Sequence, residues 1–288
     1  MQKWVDRNQV SCTVEHDAKR SGYDVKPTLL RRALEAGADE AIWLDSDIIV
    51  TSDPRKLWNA STAGSIAVAE EFVGAPSQGG SMRTREWGLP VGRILPNTTN
   101  SCIVRVVPAH LELLRAWEEL LGTEAYRVAQ AKPWFERPPH LAGDQDVLCA
   151  LLGSKEFATV PIRWVRRGPE VAHCFEARGY VFHQRIVNLL TGTTPTLIHG
   201  QGPKPWDFAD RKKPLYLELS PYALAASRYR DRLNEDAEWS TPQSRAAANL
   251  RRLFRDHLTA SGLLPALTHE IRDQRLAKSV IQSMLRKK

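Results

Sequence analysis

The chain has 288 residues, 42% of them hydrophobic, and carries 40 Lys or Arg against 33 Asp or Glu for a net charge of +7. An ordinary globular composition at this length buries a substantial core, and one large domain with an appendage is the natural count. No run approaches the ~20 apolar residues of a bilayer span, no fixed period suggests a solenoid, and four scattered cysteines without Cys-x-x-Cys spacing exclude a zinc ribbon or disulfide frame. Free thiols point to a reducing, cytoplasmic location.

In chain order, residues 9–15 read as a strand. Residues 27–36 carry the helical stripe Leu29, Leu30, Ala33 and Leu34, closed by Gly37. Residues 41–50 then run apolar on both sides of Asp45-Ser46-Asp47, which predicts one strand buried on both faces in the middle of a parallel sheet. In extended backbone Asp45 and Asp47 face the same way. Two such carboxylates repel unless a cation sits between them, and a divalent metal carrying a diphosphate answers that need. The plainer alternative is that both aspartates cap a turn.

Asp53-Pro54 predicts a helix start, and residues 66–69 a short strand. Residues 71–96 are rich in Gly, Pro, Ser and Arg and long for a plain connection, as lids and binding loops often are. Residues 108–121 form an amphipathic helix closed by Gly122. Residues 144–152 form another, stopping at Gly153 and opening on Asp144-Gln145-Asp146, where Asp144 alone could be an N-cap. Residues 158–165 read as a strand. A last short apolar run ends on His199, followed by Gly200, Gly202 and Lys204, residue types that suit a phosphate; a structural histidine is the alternative reading.

Together, Asp45-Ser46-Asp47 and the segment from His199 to Trp206 resemble glycosyltransferase family 8, which includes glycogenin and bacterial lipopolysaccharide galactosyltransferases. That family carries Asp-x-Asp at a strand end and later His-x-x-Gly-x-x-Lys-Pro-Trp; His199, Gly202, Lys204, Pro205 and Trp206 supply its named residues here. Asn100-Ser101-Cys102 resembles the family's Asn-Ser-Gly segment, with cysteine in place of glycine. Gly143-Asp144-Gln145-Asp146 resembles its Asp-Gln-Asp segment.

The resemblance implies an α/β fold of the GT-A type over residues 1–215, a Rossmann-like mixed sheet flanked by helices, with a C-terminal helical extension over 216–288. It implies a metal-dependent transfer from a nucleotide-diphosphate sugar, UDP-sugar above all, to a glycan or lipid-linked acceptor, with retention of configuration. Asp45, Asp47 and His199 would hold Mn2+, with Mg2+ as second choice. Lys26, Asp45, Asn100, Gly202 and Lys204 would contact the donor, and Asp144 and Gln145 the reacting centre. The family normally begins with a strand–helix–strand unit for which residues 1–44 are too few, so a start upstream of Met1 is expected. A nucleotide-sugar-binding protein without catalysis is the first alternative.

Residues 245–288 hold ten Lys or Arg against three Asp or Glu, the whole chain's excess. Their apolar stripes and basic residues suit peripheral docking on the cytoplasmic face of an anionic membrane, or a helix packed on the core. An interaction module with a nucleic-acid- or partner-binding tail is the other alternative, and the lack of interleaved aromatics argues against nucleic acid.

Overall fold

The computed structural model describes residues 24–59, 62–71, 79–174, 186–187, 190–191, 193–201, 222 and 225–226. They form a mixed α/β structure of two mixed sheets flanked by helices. Ala41–Leu44 (β1) pairs antiparallel with Thr99–Val106 (β4); β4 pairs antiparallel with Ile66–Glu70 (β3), and β3 parallel with Ile162–Val165 (β5). A smaller sheet joins Ile48–Val50 (β2) antiparallel to Leu197–His199 (β7), which runs parallel to Val171–His173 (β6).

The larger sheet is covered on both faces, so β4 is buried at all eight positions. On β3, Ile66 and Val68 face a helical layer while Ala67 and Ala69 face the smaller sheet, the period-two alternation of a strand between two layers. The helical layer consists of Val25–Glu35 (α1), Leu111–Leu121 (α3) and Asp144–Gly153 (α5), joined by Met82–Glu86 (α2) and Glu124–Gln130 (α4). Helix α5 is buried continuously from Asp146 to Gly153, as a helix enclosed on all sides must be.

Three of the predicted helices form close to where the periodicity places them. The strand predicted over 41–50 does not. Asp45 and Asp47 are poor strand residues that favour turns, and the Ile48 amide donates to the Asp45 carbonyl at 3.1 Å. The run therefore breaks into β1 and β2, which enter different sheets and both pair antiparallel, and of their residues only Ala41 is fully buried. The strand over 158–165 shortens to β5. The 71–96 connection contains α2 and a bridge between Gly80 and Leu95. The predicted strand at 9–15 and the helices of 245–288 lie outside the described residues.

Beyond β7, Tyr222 and Ala225 pack on Ala172, Cys174 and Ile198 of the smaller sheet. Gly200 makes this approach possible, since a Cβ there would stand 3.1–3.3 Å from the Tyr222 ring.

One core residue ties packing to the site. Trp117 of α3 is fully buried, and its indole N–H donates to the Asp144 carbonyl at 3.0 Å, fixing the first turn of α5. Trp117→Phe keeps most of the apolar contact but removes the indole donor, leaving the carbonyl its intrahelical bond alone. The expected loss in urea-unfolding free energy is about 0.5–1.5 kcal/mol; no measurable change would show that the bond does not hold α5.

Candidate functional site

A cavity of about 650 Å³ opens where the two sheets separate, lined by Lys26, Asp45, Asp47, Asn100, Asp144, Gln145 and His199 among others. The 45–48 turn brings the two aspartates to it. The β2–β7 register sets Ile48 opposite His199, and the Gly200 amide donates to the Asp47 carbonyl at 2.9 Å, so the end of β7 is stitched to the turn. One ligand atom from each of Asp45, Asp47 and His199 lies within 4.8 Å of the others. Two carboxylates and one imidazole at this spacing form a donor set that fits a divalent first-row metal.

The imidazole is held by a second histidine. His173, fully buried at the end of β6, places Nε2 2.9 Å from the Glu70 carbonyl and Nδ1 2.9 Å from Nδ1 of His199. A carbonyl only accepts, so His173 carries its proton on Nε2. Burial, then the neighbouring His199, lower the His173 pKa to about 4, so the ring is neutral and its Nδ1 accepts. His199 must then donate from Nδ1, and its Nε2 stands 3.4 Å from Asp47 Oδ1. A metal between that nitrogen and the carboxylate would take both as donors, and a partner fixing the far nitrogen is the usual support of a metal-binding histidine. The Cys102 thiol lies within 4.8 Å of both histidines, but burial raises its pKa well above the usual thiol range and keeps it protonated. Cys102 packs between the sheets and does not line the cavity.

Beside Asp45, α1 delivers Lys26 into a buried cluster. Its ammonium stands 3.0 Å from Asp45 Oδ1 and 3.3 Å from Asp144 Oδ2, and donates to Ser101 Oγ at 2.9 Å and the Ser101 carbonyl at 3.2 Å. Asp45 Oδ1 also accepts from the Trp43 indole at 2.6 Å. Burial disfavours the charged lysine, yet Asp144 and Asp45 outweigh it and hold its pKa above the usual value. Burial likewise raises Asp144, opposed by Lys26 and by the Ser101 hydroxyl that donates to it at 2.7 Å.

The helix cap is Gly143, not Asp144, which is the first helical residue and turns its carboxylate to Lys26. The neighbouring acidic residue has a different task. Asp146 accepts from buried Arg83 at 2.6 Å, tying α2 to α5, and burial raises its carboxyl to about 6 against that guanidinium.

The structure thus brings Lys26, Asp45, Asp47, Asn100, Asp144, Gln145 and His199 to one cavity. Gly202 and Lys204 lie outside the described residues. Sequence reasoning missed His173 and Glu71, and named Ser101 only as part of the Asn100-Ser101-Cys102 segment. The signal for His173 was present: Val171-Ala172-His173 repeats the short apolar strand ending on histidine seen in β7. Glu71, just beyond β3, is 6% exposed and receives three carboxamide groups.

No protein-family model and no curated protein matches the chain. Among solved structures it is similar to a glycosyltransferase involved in the glycosylation of the major capsid of PBCV-1. The identity is 13% and the TM-score 0.38, over 66% of this chain and 76% of that one.

The depressed pKa of His173 has a measurable consequence. The unfolded chain takes up this proton near 6.5 and the folded protein only near 4, so the contribution is full above 6.5 and is lost as pH falls toward 4. Asp146, raised to about 6, acts with the opposite sign between its ordinary 3.8 and 6. Only a difference measurement separates them. In metal-free protein, the stability gap between wild type and His173→Gln is expected to shrink by roughly 3 kcal/mol from pH 7 to pH 4. A gap independent of pH in urea titrations would mean that His173 is not held neutral.

Proposed function

We propose that the protein is a metal-dependent glycosyltransferase that uses a nucleotide-diphosphate sugar, UDP-sugar first, and resembles family 8. One observation carries this reading: Asp45, Asp47 and an oriented His199 converge on one cavity that Asp144 and Gln145 also line. One departure from the family pattern stands beside it, since a single residue, Pro203, separates Gly202 from Lys204 where the family carries two.

Asp45, Asp47 and His199 would hold the metal, with manganese favoured over magnesium because the set includes an imidazole. When bound, such an ion neutralises charge growing on a departing diphosphate. The chain's own residues do the rest. Lys26 bridges Asp45 and Asp144 and holds both carboxylates at the cavity. Lys204 and the backbone near Gly202 would take the remaining diphosphate charge. Gln145 positions the sugar. Asp144 is already committed to Lys26 and Ser101, and Gln145 is a neutral amide, so neither is a ready nucleophile. Same-face attack follows: the acceptor oxygen bonds to the anomeric carbon as the carbon–phosphate oxygen bond breaks, and the acceptor proton passes to the leaving diphosphate. The acceptor would be a glycan or a lipid-linked glycan, reached from the cytoplasmic side with peripheral docking through residues 245–288. No described helix is long and apolar enough to cross a membrane.

Asp47→Asn and His199→Ala each remove one donor and should cut manganese-dependent turnover of UDP-sugars by roughly 100-fold or more, since even outer partners of metal ligands are worth 10–100-fold. Full activity at unchanged metal requirement in either variant would refute the assignment. Tight donor binding without any turnover in the wild type would leave a binding protein in place of an enzyme.

The stereochemical expectation is separate. An α-linked donor should give an α-linked product, read from the anomeric proton by NMR. A β-linkage would overturn same-face attack while leaving the metal assignment standing.

A further inference from the structure

Glu71 lies just past the end of β3, behind the cavity wall, and its carboxylate gathers three side-chain amides. Asn100 Nδ2 donates to Oε2 at 2.8 Å, Gln145 Nε2 donates to the same oxygen at 2.6 Å, and Gln201 Nε2 donates to Oε1 at 3.2 Å. The three donors come from β4, from the first turn of α5 and from the residue after Gly200, so one carboxylate links three separate parts of the wall.

In all three contacts the amide nitrogen meets a carboxylate oxygen, so each amide turns its NH2 toward Glu71 and its own oxygen the other way. The Asn100 oxygen is spent on the Cys102 amide at 2.9 Å. The Gln145 oxygen, on a side chain that lines the cavity, is left to it as an acceptor. The Gln201 oxygen has no hydrogen-bond partner among the described residues. Two carboxamides at this wall thus offer oxygens and withhold N–H groups.

Among the described residues, the two cations that line the wall, Lys26 and Arg137, and nearby Arg83 are committed elsewhere. Lys26 serves Asp45, Asp144 and Ser101. Arg137 spends its guanidinium on its own loop, donating to the Lys132 carbonyl at 2.9 Å, to the Ala142 and Gln130 carbonyls at 3.1 Å each, and to the Gln130 side chain. Arg83 is paired with Asp146. Nothing in this set welcomes a carboxylate on the ligand, whereas hydroxyl groups, which donate, suit it throughout.

We infer that Glu71 is a positioning residue that turns the cavity wall into an acceptor surface for hydroxyl groups, so that the transferred sugar is an uncharged hexose and not a uronate. The inference rests on the nucleotide-sugar reading and adds the class of sugar. A buried carboxylate behind the wall also repels an anionic sugar through a medium that screens poorly. Replacing Glu71 by glutamine supplies a partner that can donate as well as accept, which frees Gln145 and Gln201 to flip and offer N–H to the cavity.

The test is isothermal titration of the full-length protein with manganese and four probes: UDP, UDP-glucose, UDP-galactose and UDP-glucuronate. Wild type should bind at least one of the two neutral sugar nucleotides about tenfold or more tightly than UDP-glucuronate, a difference that corresponds to about 1.4 kcal/mol. In Glu71→Gln, affinity for UDP itself should be unchanged, which also reports an intact fold, and the preference should fall below about threefold. A role limited to holding the fold together would weaken UDP and both sugar classes alike. Wild-type binding of UDP-glucuronate as tight as that of the neutral sugars overturns the inference with no variant needed, as does a preference that survives in Glu71→Gln. Failure of wild type to bind even UDP is a different result. It rejects the nucleotide-sugar reading, and this inference with it.

Discussion

The ammonium of Lys26, 1% exposed, is the charge on which the site's geometry depends. Its partners come from three places that are distant in sequence: Asp45 at the end of β1, Ser101 on β4 and Asp144 at the start of α5. Without the lysine, two carboxylates would share a poorly solvated space and repel one another. Breaking such a buried set by removing one member costs far more than a surface pair, because the remaining charge has no water to return to. The cluster therefore fixes how α1, the edge of the larger sheet and α5 meet. The Trp117 bond to the Asp144 carbonyl holds the same helix end from behind.

Charge bookkeeping then points outward. Asp146 and Arg83 neutralise one another. Of the described residues at the cavity, Asp45, Asp47 and Asp144 face Lys26 and Arg137, and Arg137 is spent on its own neighbours, so negative charge is in excess on the side where His199 Nε2 stands 3.4 Å from Asp47. An arrangement like this is costly alone and stable with a cation. The polarity of the His173–His199 pair, set by a backbone carbonyl that can only accept, leaves Nε2 as the His199 atom that faces the same carboxylate.

Much of this was legible in the sequence, for identifiable reasons. The helices showed themselves through apolar stripes at Leu30 and Leu34, and at Leu113, Leu114 and Trp117, which do face the core. Asp45, Asp47, His199, Asp144 and Gln145 were visible because unusual residue types stood at the ends of apolar runs. What failed was pairing. An apolar run of strand length says that a segment is buried, not what lies beside it, so the change from one parallel strand to two antiparallel pieces in different sheets could not be read from periodicity. Asp45 and Asp47 converge through a turn, not through the two-residue repeat of a strand, so the expected convergence occurs by a different route. Glu71 and His173 were missed because each acts through another side chain. Their partners lie 29 and 26 residues or more away in sequence, and only the folded chain shows the contacts.

The same distinction orders the residues by what they can be expected to do. Asp47 and His199 face the cavity, and their chemistry is open to a ligand. Glu71, His173 and Trp117 do not line it, yet each fixes one degree of freedom of a group that does: the flip of an amide, the tautomer of an imidazole, the tilt of a helix end. A site that must place charge and hydrogen-bond donors to within a fraction of an ångström needs this outer layer as much as the residues that touch the ligand. In this chain each outer contact contains a group that can act in only one sense, a carboxylate or carbonyl that only accepts or an indole N–H that only donates. That one-way chemistry is what turns a flexible side chain into a defined one.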